Sequence, residues 1–190
     1  RSGGLGVLHR YNTIAEQQHM AREVIDHTEW SGNVAAALGV TGEYLKRAEA
    51  LVSVGVDILC VDVAHGHHSL MKKALTTLRE AFGGHIYIMA GNVCTLEGIN
   101  DLADWGADSI RCNIGGGSIC TTRVQTGHGV PGLETIFQCA KSDRDAKIIA
   151  DGGIKNSGDI VKAFAAGADA VMLGSLLAGT DCSPGTIFKT

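Results

Sequence analysis

Residues 113–123 hold the densest set of potentially reactive side chains in the sequence. Three consecutive glycines are followed by Ser118, Cys120, two threonines and an arginine. Consecutive glycines let the backbone approach a ligand closely and turn its N–H or C=O groups toward it. Ser118 can donate to a phosphate oxygen, and Cys120 follows a predicted strand, where its thiol can face a cleft. Cys120 is therefore a candidate nucleophile, with a purely structural cysteine as the open alternative.

Two further glycine loops follow predicted strands. Residues 151–153 read Asp-Gly-Gly and precede a helix that is predicted to begin near Ser157, and Gly174 and Ser175 follow the last strand. Phosphate sites of (β/α) barrels commonly use the loops after the last two strands, together with a helix N-terminus. Simple tight turns are the alternative. A phosphate would repel Asp151, so we place this carboxylate at a ribose hydroxyl.

Residues 65–68 read His-Gly-His-His and raise the question of a metal site. Zinc would need a third ligand at a suitable spacing and a supporting carboxylate. Asp62 is the only nearby candidate in the sequence. We therefore favour a polar loop or the rim of a cofactor site over a metal site.

Strand-like and helix-like segments alternate along the chain and must position these loops. Thr13 and Glu16 form a capping-box pattern at one predicted helix start, and Thr41 is predicted to cap the next helix. The predicted strands are residues 5–9, 34–40, 57–63, 86–90, 109–114, 147–150 and 170–173. The predicted helices are residues 13–26, 41–55, 69–82, 95–105, 133–141 and 157–166.

A Gly-X-Asp pattern recurs where a helix passes into a strand, at Gly55, Gly106 and Gly167. Each glycine can end its helix in the left-handed conformation, and each is followed by an apolar strand. Strands buried on both faces indicate a parallel sheet covered by helices, either doubly wound or closed. Glycine loops after nearly every strand favour the closed (β/α)₈ TIM barrel, because its active face is shared by all strands. Seven predicted strands suggest a barrel that lacks the first βα unit and the C-terminal end.

Composition restricts the class of protein. The chain has 190 residues, of which 45% are hydrophobic and 19% charged, and its net charge is −4. We expect one incomplete catalytic barrel domain over residues 1–190, without an electrostatic surface for nucleic acid and without a membrane span. None of the six cysteines forms a CxxC pair, which favours reduced thiols and a cytoplasmic protein. Because the chain begins with Arg1, we expect a longer parent protein.

At these residues the sequence resembles the IMP dehydrogenase and GMP reductase family over almost its whole length. The most specific motif is residues 115–123, which is similar to the catalytic cysteine loop of that family. Four supporting motifs follow the same order in the chain as in the family. They are residues 3–9, 90–93, 149–154 and 172–179.

The resemblance implies that Cys120 attacks C2 of a purine nucleotide to form a covalent thioimidate. It places Thr122 near the incoming water or the leaving ammonia. The substrate-binding residues that it implies are Ser118, Gly152, Gly153, Gly174 and Ser175 at the phosphate, Asp151 at the ribose, and Asn92 and Arg111 beside the nucleotide. The cofactor, NAD in a dehydrogenase or NADPH in a reductase, is expected against Asp62, Val63, Ala64 and His65. The carbonyls of Gly115, Gly117 and Cys120 are expected to bind potassium in a dehydrogenase, and a homotetramer is expected.

The resemblance leaves the direction of the reaction open. Residues 124–131, 157–160 and 177–185 look like those of bacterial dehydrogenases, which favours oxidation of IMP to XMP. A short connection after residue 26, without an inserted regulatory module, is typical of reductases, which convert GMP to IMP. A nucleotide-binding barrel without turnover is the third alternative. The chain departs from the usual family pattern at Asn113, where glycine is usual, at Gly116, where proline or serine is common, and at Gly132, where glutamine is common.

Overall fold

The described part of the chain contains seven parallel strands and seven helices, which alternate except that two helices follow the fifth strand. The computed structural model describes residues 3–26, 33–181 and 183. The strands are β1 (Val7–Leu8), β2 (Ala35–Leu38), β3 (Ile58–Asp62), β4 (Tyr87–Val93), β5 (Ser109–Cys112), β6 (Lys147–Asp151) and β7 (Ala170–Met172). The helices are α1 (Ile14–Asp26), α2 (Tyr44–Val52), α3 (Ser69–Phe82), α4 (Leu96–Asp104), α5 (Thr122–Thr126), α6 (Gly132–Cys139) and α7 (Ser157–Ala165).

The sheet follows the order of the chain, from β1 to β7, and every neighbouring pair is parallel. It is a curled sheet of the (β/α) barrel type, which confirms the predicted fold class. Among the described residues, β1 and β7 are its two edges. The carboxyl ends of all seven strands therefore lie at the same end of the sheet, and the loops that follow the strands are neighbours there.

The two faces of the sheet bury different sets of side chains. The larger cluster lies between strands and helices and includes Leu38, Leu59, Leu75 and Ile110. The smaller cluster lies on the opposite face, where alternate strand residues such as Ala35, Ala37, Ile58, Cys60, Met89 and Ile149 pack together. Side chains alternate between the faces of a strand, so a strand with both faces covered reads as continuously apolar.

In each of the three Gly-X-Asp patterns, the aspartate forms two hydrogen bonds with the backbone of one residue. We call this arrangement the aspartate clip. Asp57 accepts from the N–H of Val34, Asp108 from Ile88, and Asp169 from Ile148, at 3.1, 2.6 and 2.7 Å. The N–H of each aspartate donates back to the carbonyl of the same partner. The preceding glycines have φ of 99°, 109° and 111°, as the sequence predicted for helix ends. Each clip fixes the start of β3, β5 or β7 against the strand before it.

Helix ends agree with the sequence in most places, but the start of α2 differs and one short helix is additional. The capping box is confirmed, since Glu16 N–H donates to Thr13 Oγ1 and Thr13 N–H donates to the Glu16 carboxylate. The prediction that Thr41 caps α2 is wrong: the N-cap is Glu43, and its side chain makes no capping hydrogen bond. The short helix α5 was not predicted.

The connection between α1 and β2, where a regulatory module was predicted to be absent, includes residues 27–32, which lie outside the described residues. No helix in the described part of the chain is long and apolar enough to cross a membrane.

Candidate active site

A cavity of about 360 Å³ opens at the carboxyl ends of the strands. Parallel register places the ends of β3 to β6 side by side, because Asp62 pairs with Gly91, Gly91 with Arg111, and Arg111 with Ile149. Ten of the predicted site residues line this cavity. They are Asp62, Val63, Ala64, Asn92, Arg111, Gly115, Gly117, Cys120, Thr122 and Asp151.

The remaining predicted site residues lie elsewhere. Gly152 and Gly153 line a neighbouring cavity of about 440 Å³, which also contacts Asn113 and Gly116. The other predicted residues are exposed and line neither cavity; these are His65, Ser118, Gly174 and Ser175. The structure therefore brings Cys120, Asp151 and residues 62–64 to one cavity, whereas the predicted phosphate residues lie outside that cavity.

Arg111 connects the ends of four strands. Its guanidinium donates to Asp62 Oδ1 at 2.5 Å, Asn92 Oδ1 at 2.5 Å, Cys60 Sγ at 3.0 Å and Asp151 Oδ2 at 3.1 Å. Burial opposes the charge, but contacts with Cys60, Asp151 and Asp62 outweigh it, so the pKa of Arg111 lies above its usual value. Arg111 stays charged and holds both carboxylates in place.

Asn92 ties the same strand ends together from β4. Its Nδ2 donates to the carbonyl of Asn113 at 2.8 Å and to Asp151 Oδ2 at 2.9 Å. Its own carbonyl accepts the N–H of Gly66 at 2.6 Å, which links β4 to the loop after β3. The preceding residue has to be glycine, because a Cβ on Gly91 would lie 2.7 Å from Arg111 Cβ. Asp151 thus has two fixed donors and one exposed side toward the cavity.

Cys120 is exposed, whereas the other described cysteines are buried or half-buried. Its Sγ lies 3.3 Å from Thr122 Oγ1, and its N–H donates to the carbonyl of Gly117 at 3.1 Å. The Thr122 hydroxyl and backbone N–H, with the nearby charge of Arg123, lower the pKa of Cys120. Burial instead raises the pKa of Cys60. A thiolate is the nucleophilic form of cysteine, and Cys120 is the described cysteine that combines a lowered pKa with an exposed side chain.

Two of the histidines that follow β3, His67 and His68, make hydrogen bonds that stabilise the loop. His67 Nε2 pairs with Asp101 Oδ2 at 2.8 Å, and His68 caps α3 by accepting from the N–H of Leu70. Among the described residues, no three His, Cys, Asp or Glu side chains gather as a metal site. The predicted potassium ligands are backbone carbonyls, a donor type that hard cations accept. The Gly117 carbonyl already accepts one N–H, and potassium binding stays a prediction.

The three departures from the usual family pattern meet at one point. The side chain of Asn113 lies against Gly116 and Gly132, where a Cβ would be 1.9 and 3.1 Å from its Nδ2. Asn113 is buried, with 4% of its surface exposed. One amide side chain thus occupies the space beside both glycines, and a side chain at position 116 would require it to move.

The cavity also contains Arg10 and Tyr11, which sequence reasoning missed, and Asn113, Ile114 and Gly116 of the predicted reactive loop, to which no binding role was assigned. Arg10 and Tyr11 come directly after β1, at the end of the sheet where the other site residues lie, and Arg10 Nε is 3.9 Å from Asp62 Oδ2. Their position after the first strand was the available signal. For Arg111, the signal in the sequence was a charged residue within an otherwise apolar strand, which indicated that its charge must be paired at the site.

Comparison with known proteins identifies the family. A family profile described as IMP dehydrogenase / GMP reductase domain matches residues 1–190. The chain belongs to this family. It is 51% identical over 154 residues to an inosine-5'-monophosphate dehydrogenase from Chlorobaculum parvum, a match that covers 80% of the chain and 31% of that protein. It is also 50% identical over 159 residues to a GMP reductase from Leishmania donovani, covering 81% of the chain and 32% of that protein.

The structural comparison leads to the same family. The crystal structure of inosine 5'-monophosphate dehydrogenase from Legionella pneumophila superposes with a TM-score of 0.85 and 48% identity. The match covers 99% of the chain and 55% of that structure. The chain thus spans about a third of the length of the curated relatives and about half of the solved one.

Proposed function

We propose that the protein is an NAD-dependent oxidoreductase that converts IMP to XMP through a covalent intermediate on Cys120. The observation that carries this proposal is an exposed thiol with a lowered pKa beside Thr122, in the same cavity as the Arg111–Asp151 pair. Several relatives at about half identity are named as dehydrogenases of inosine-5'-monophosphate. A purine mononucleotide is therefore the proposed substrate.

In this mechanism the Cys120 thiolate adds to C2 of the purine ring. The hydrogen on C2 leaves as a hydride with its electron pair, which produces a thioimidate on Cys120. Water then adds to the same carbon and loses a proton, and the C–S bond breaks to release XMP and the thiolate. Thr122 keeps its hydroxyl at hydrogen-bonding distance from the sulfur and stabilises the charged form. NAD, when bound, supplies the acceptor for the hydride.

The other residues bind and orient. Asp151 is oriented by Arg111 and Asn92, and its carboxylate accepts a ribose hydroxyl in our proposal. The proposed 5'-phosphate ligands are Ser118, Gly152, Gly153, Gly174 and Ser175. Residues 62–64 line the cavity that contains Cys120, so a nicotinamide held by them and by His65 would lie next to the reacting carbon. Potassium would be held by the carbonyls of Gly115, Gly117 and Cys120.

A second candidate function is reduction of GMP to IMP. The similarity to a GMP reductase over 81% of the chain supports it, as does the short stretch of sequence between α1 and β2. In that reaction the Cys120 thiolate adds to C2, and the 2-amino group takes up a proton and leaves as ammonia, which gives the same thioimidate. C2 then gains a hydride, for which NADPH, when bound, would be the donor, and the C–S bond breaks to release IMP and the thiolate. The same site residues serve both directions, and the third alternative is a nucleotide-binding barrel without turnover.

One assay separates these functions. Full-length protein is incubated with IMP and NAD, or with GMP and NADPH, and the reduced nicotinamide is followed by absorbance. We expect NADH formation with IMP, loss of it in Cys120→Ala, and activity close to wild type in Cys94→Ala, a half-buried thiol outside the cavity. Consumption of NADPH with GMP alone would establish the reductase, and absence of turnover with both pairs would favour the binding protein.

The assembly and location belong to the same proposal. We propose a homotetramer in the cytoplasm. Analytical ultracentrifugation of the full-length protein tests the first statement, and a monomeric species at working concentration would contradict it. Fractionation of the source cells tests the second.

A further inference from the structure

Asn113 lies at the junction between β5 and the cysteine loop. Its N–H donates to the carbonyl of Val93 at 2.9 Å, and its carbonyl accepts from Asn92 Nδ2 at 2.8 Å. Its side-chain Nδ2 donates to the carbonyl of Asp151 at 2.9 Å. One residue is thus bonded to the ends of both β4 and β6, the two strands that flank β5.

The orientation of this side chain is fixed by its donor end. Nδ2 also lies 3.4 Å from the carbonyl of Gly152, whereas Oδ1 is buried without a hydrogen-bond partner among the described residues. Exchanging the two ends of the amide would point Oδ1 at two carbonyl oxygens, which repel it. Asn113 also has φ of 120°, a region that non-glycine residues rarely occupy. Asn113 therefore combines a buried, rarely adopted backbone conformation with a specific hydrogen bond donated by its side chain.

The turn formed by residues 115–117, which we call the glycine turn, lies in close contact with the Asn113 amide. A Cβ on Gly116 would lie 1.9 Å from Asn113 Nδ2, and a Cβ on Gly152 would lie 3.0 Å from the N of Gly117. The turn is therefore in close contact with Asn113 and with the loop after β6. Gly117 in turn accepts the N–H of Cys120 at 3.1 Å. Contacts run without interruption from β6 through Asn113 and the turn to the nucleophile.

We propose that Asn113 is a positioning residue for Cys120: its amide holds the glycine turn against the loop after β6, and Gly116 has to be glycine because Asn113 is present. The proposal rests on the function assigned to Cys120 above. It makes the effect of a side chain at position 116 conditional on the side chain at position 113.

The test is a double-mutant cycle in the full-length protein. Asn113→Gly removes the amide and accepts the positive φ, Gly116→Ser forces the amide away, and the double variant has room for the serine. Misplacement of a reacting group by about 1 Å costs on the order of 100-fold, so we expect that loss in kcat from Gly116→Ser alone. In the Asn113→Gly background the same substitution should cost less than about 5-fold, because the coupled contact is gone.

Two further variants separate positioning from folding. Asn113→Asp keeps the shape and replaces the donor by an oxygen facing two carbonyls; kcat should fall while the KM for the nicotinamide cofactor changes little. Gly84→Ser is the matched control, since a Cβ there meets nothing within 4 Å and the residue lies between α3 and β4, away from the site. It should leave kcat unchanged.

A readout without turnover keeps this proposal distinct from the proposed function. The rate of alkylation of Cys120 by iodoacetamide is measured against pH in the nucleotide-free protein. Gly116→Ser should change this profile only when Asn113 is present. Equal effects of Gly116→Ser in both backgrounds, or variants that lower Tm while the profile and kcat stay unchanged, would overturn the proposal. Wild-type protein that is inactive with both nucleotide pairs would overturn the proposed function and leave the alkylation cycle interpretable.

Discussion

Replacing Arg111 by methionine should destabilise the protein more than the same substitution at an arginine on the surface. The Arg111 side chain is 9% exposed, and its guanidinium bonds Asp62 and Asp151, whose side chains are 31% and 20% exposed. Methionine fills a similar volume but donates no hydrogen bond. Arg111→Met therefore leaves two partly buried carboxylates facing each other without the cation between them.

The magnitude follows from the burial of the partners. Removal of one partner of a fully buried ion pair costs about 3–5 kcal/mol. Water reaches both aspartates here, which reduces the penalty, so we expect a loss of about 2–4 kcal/mol in the free energy of unfolding. For a domain of this size that corresponds to a decrease in Tm of roughly 5–15 °C.

Urea unfolding followed by circular dichroism measures the loss. Arg144→Met is the matched control, because Arg144 also bonds two aspartates, Asp104 and Asp143, but at the surface, where such pairs stabilise little. Adding Asp151→Asn to Arg111→Met should recover part of the stability, since one unpaired charge is removed. If Arg111→Met unfolds at the same urea concentration as Arg144→Met, the argument from burial is wrong.

Three further substitutions test the site and the sheet. Thr122→Val should shift the alkylation profile of Cys120 to higher pH, because a hydrogen bond that lowers its pKa is lost and the thiolate forms only at higher pH; an unchanged midpoint would refute this. Asp108→Asn should lower stability by about 1 kcal/mol in thermal unfolding, since a neutral amide oxygen accepts the β4 N–H more weakly. Gly91→Ala should cost about 1–3 kcal/mol through overpacking against Arg111, and a wild-type Tm would show that the strand can move.

The sequence was sufficient to predict the order of elements apart from the short helix α5, because the longer elements each have a recognisable periodicity. The bounds of α3 agree with the prediction, and all seven strands lie where apolar runs were found. The start of α2 was predicted less well. Thr41 has a suitable residue type for an N-cap, but the helix begins later, after Glu43. Capping depends on backbone geometry as well as on residue type.

Within the site, the sequence predicted which loops converge but not which side chains bond to each other. Cys120, Thr122 and Asp151 line one cavity because the carboxyl ends of parallel strands lie at the same end of the sheet. The partners of Arg111 come from strands separated by many residues, and only the register of the sheet brings them within 3.1 Å. The fit of Asn113 beside Gly116 depends on a side-chain conformation that no spacing in the sequence reveals.

The aspartate clips have a consequence for the route by which the chain folds. Each clip joins residues only 23, 20 or 21 positions apart, so it closes a short segment of chain. Closing a short loop costs less conformational entropy than bringing distant strands together, and local contacts favour fast folding. Each clipped pair of strands with its intervening helix can therefore acquire its register before the sheet as a whole has curled. The three aspartates thus add contacts between neighbouring strands at the end of the sheet opposite the candidate site.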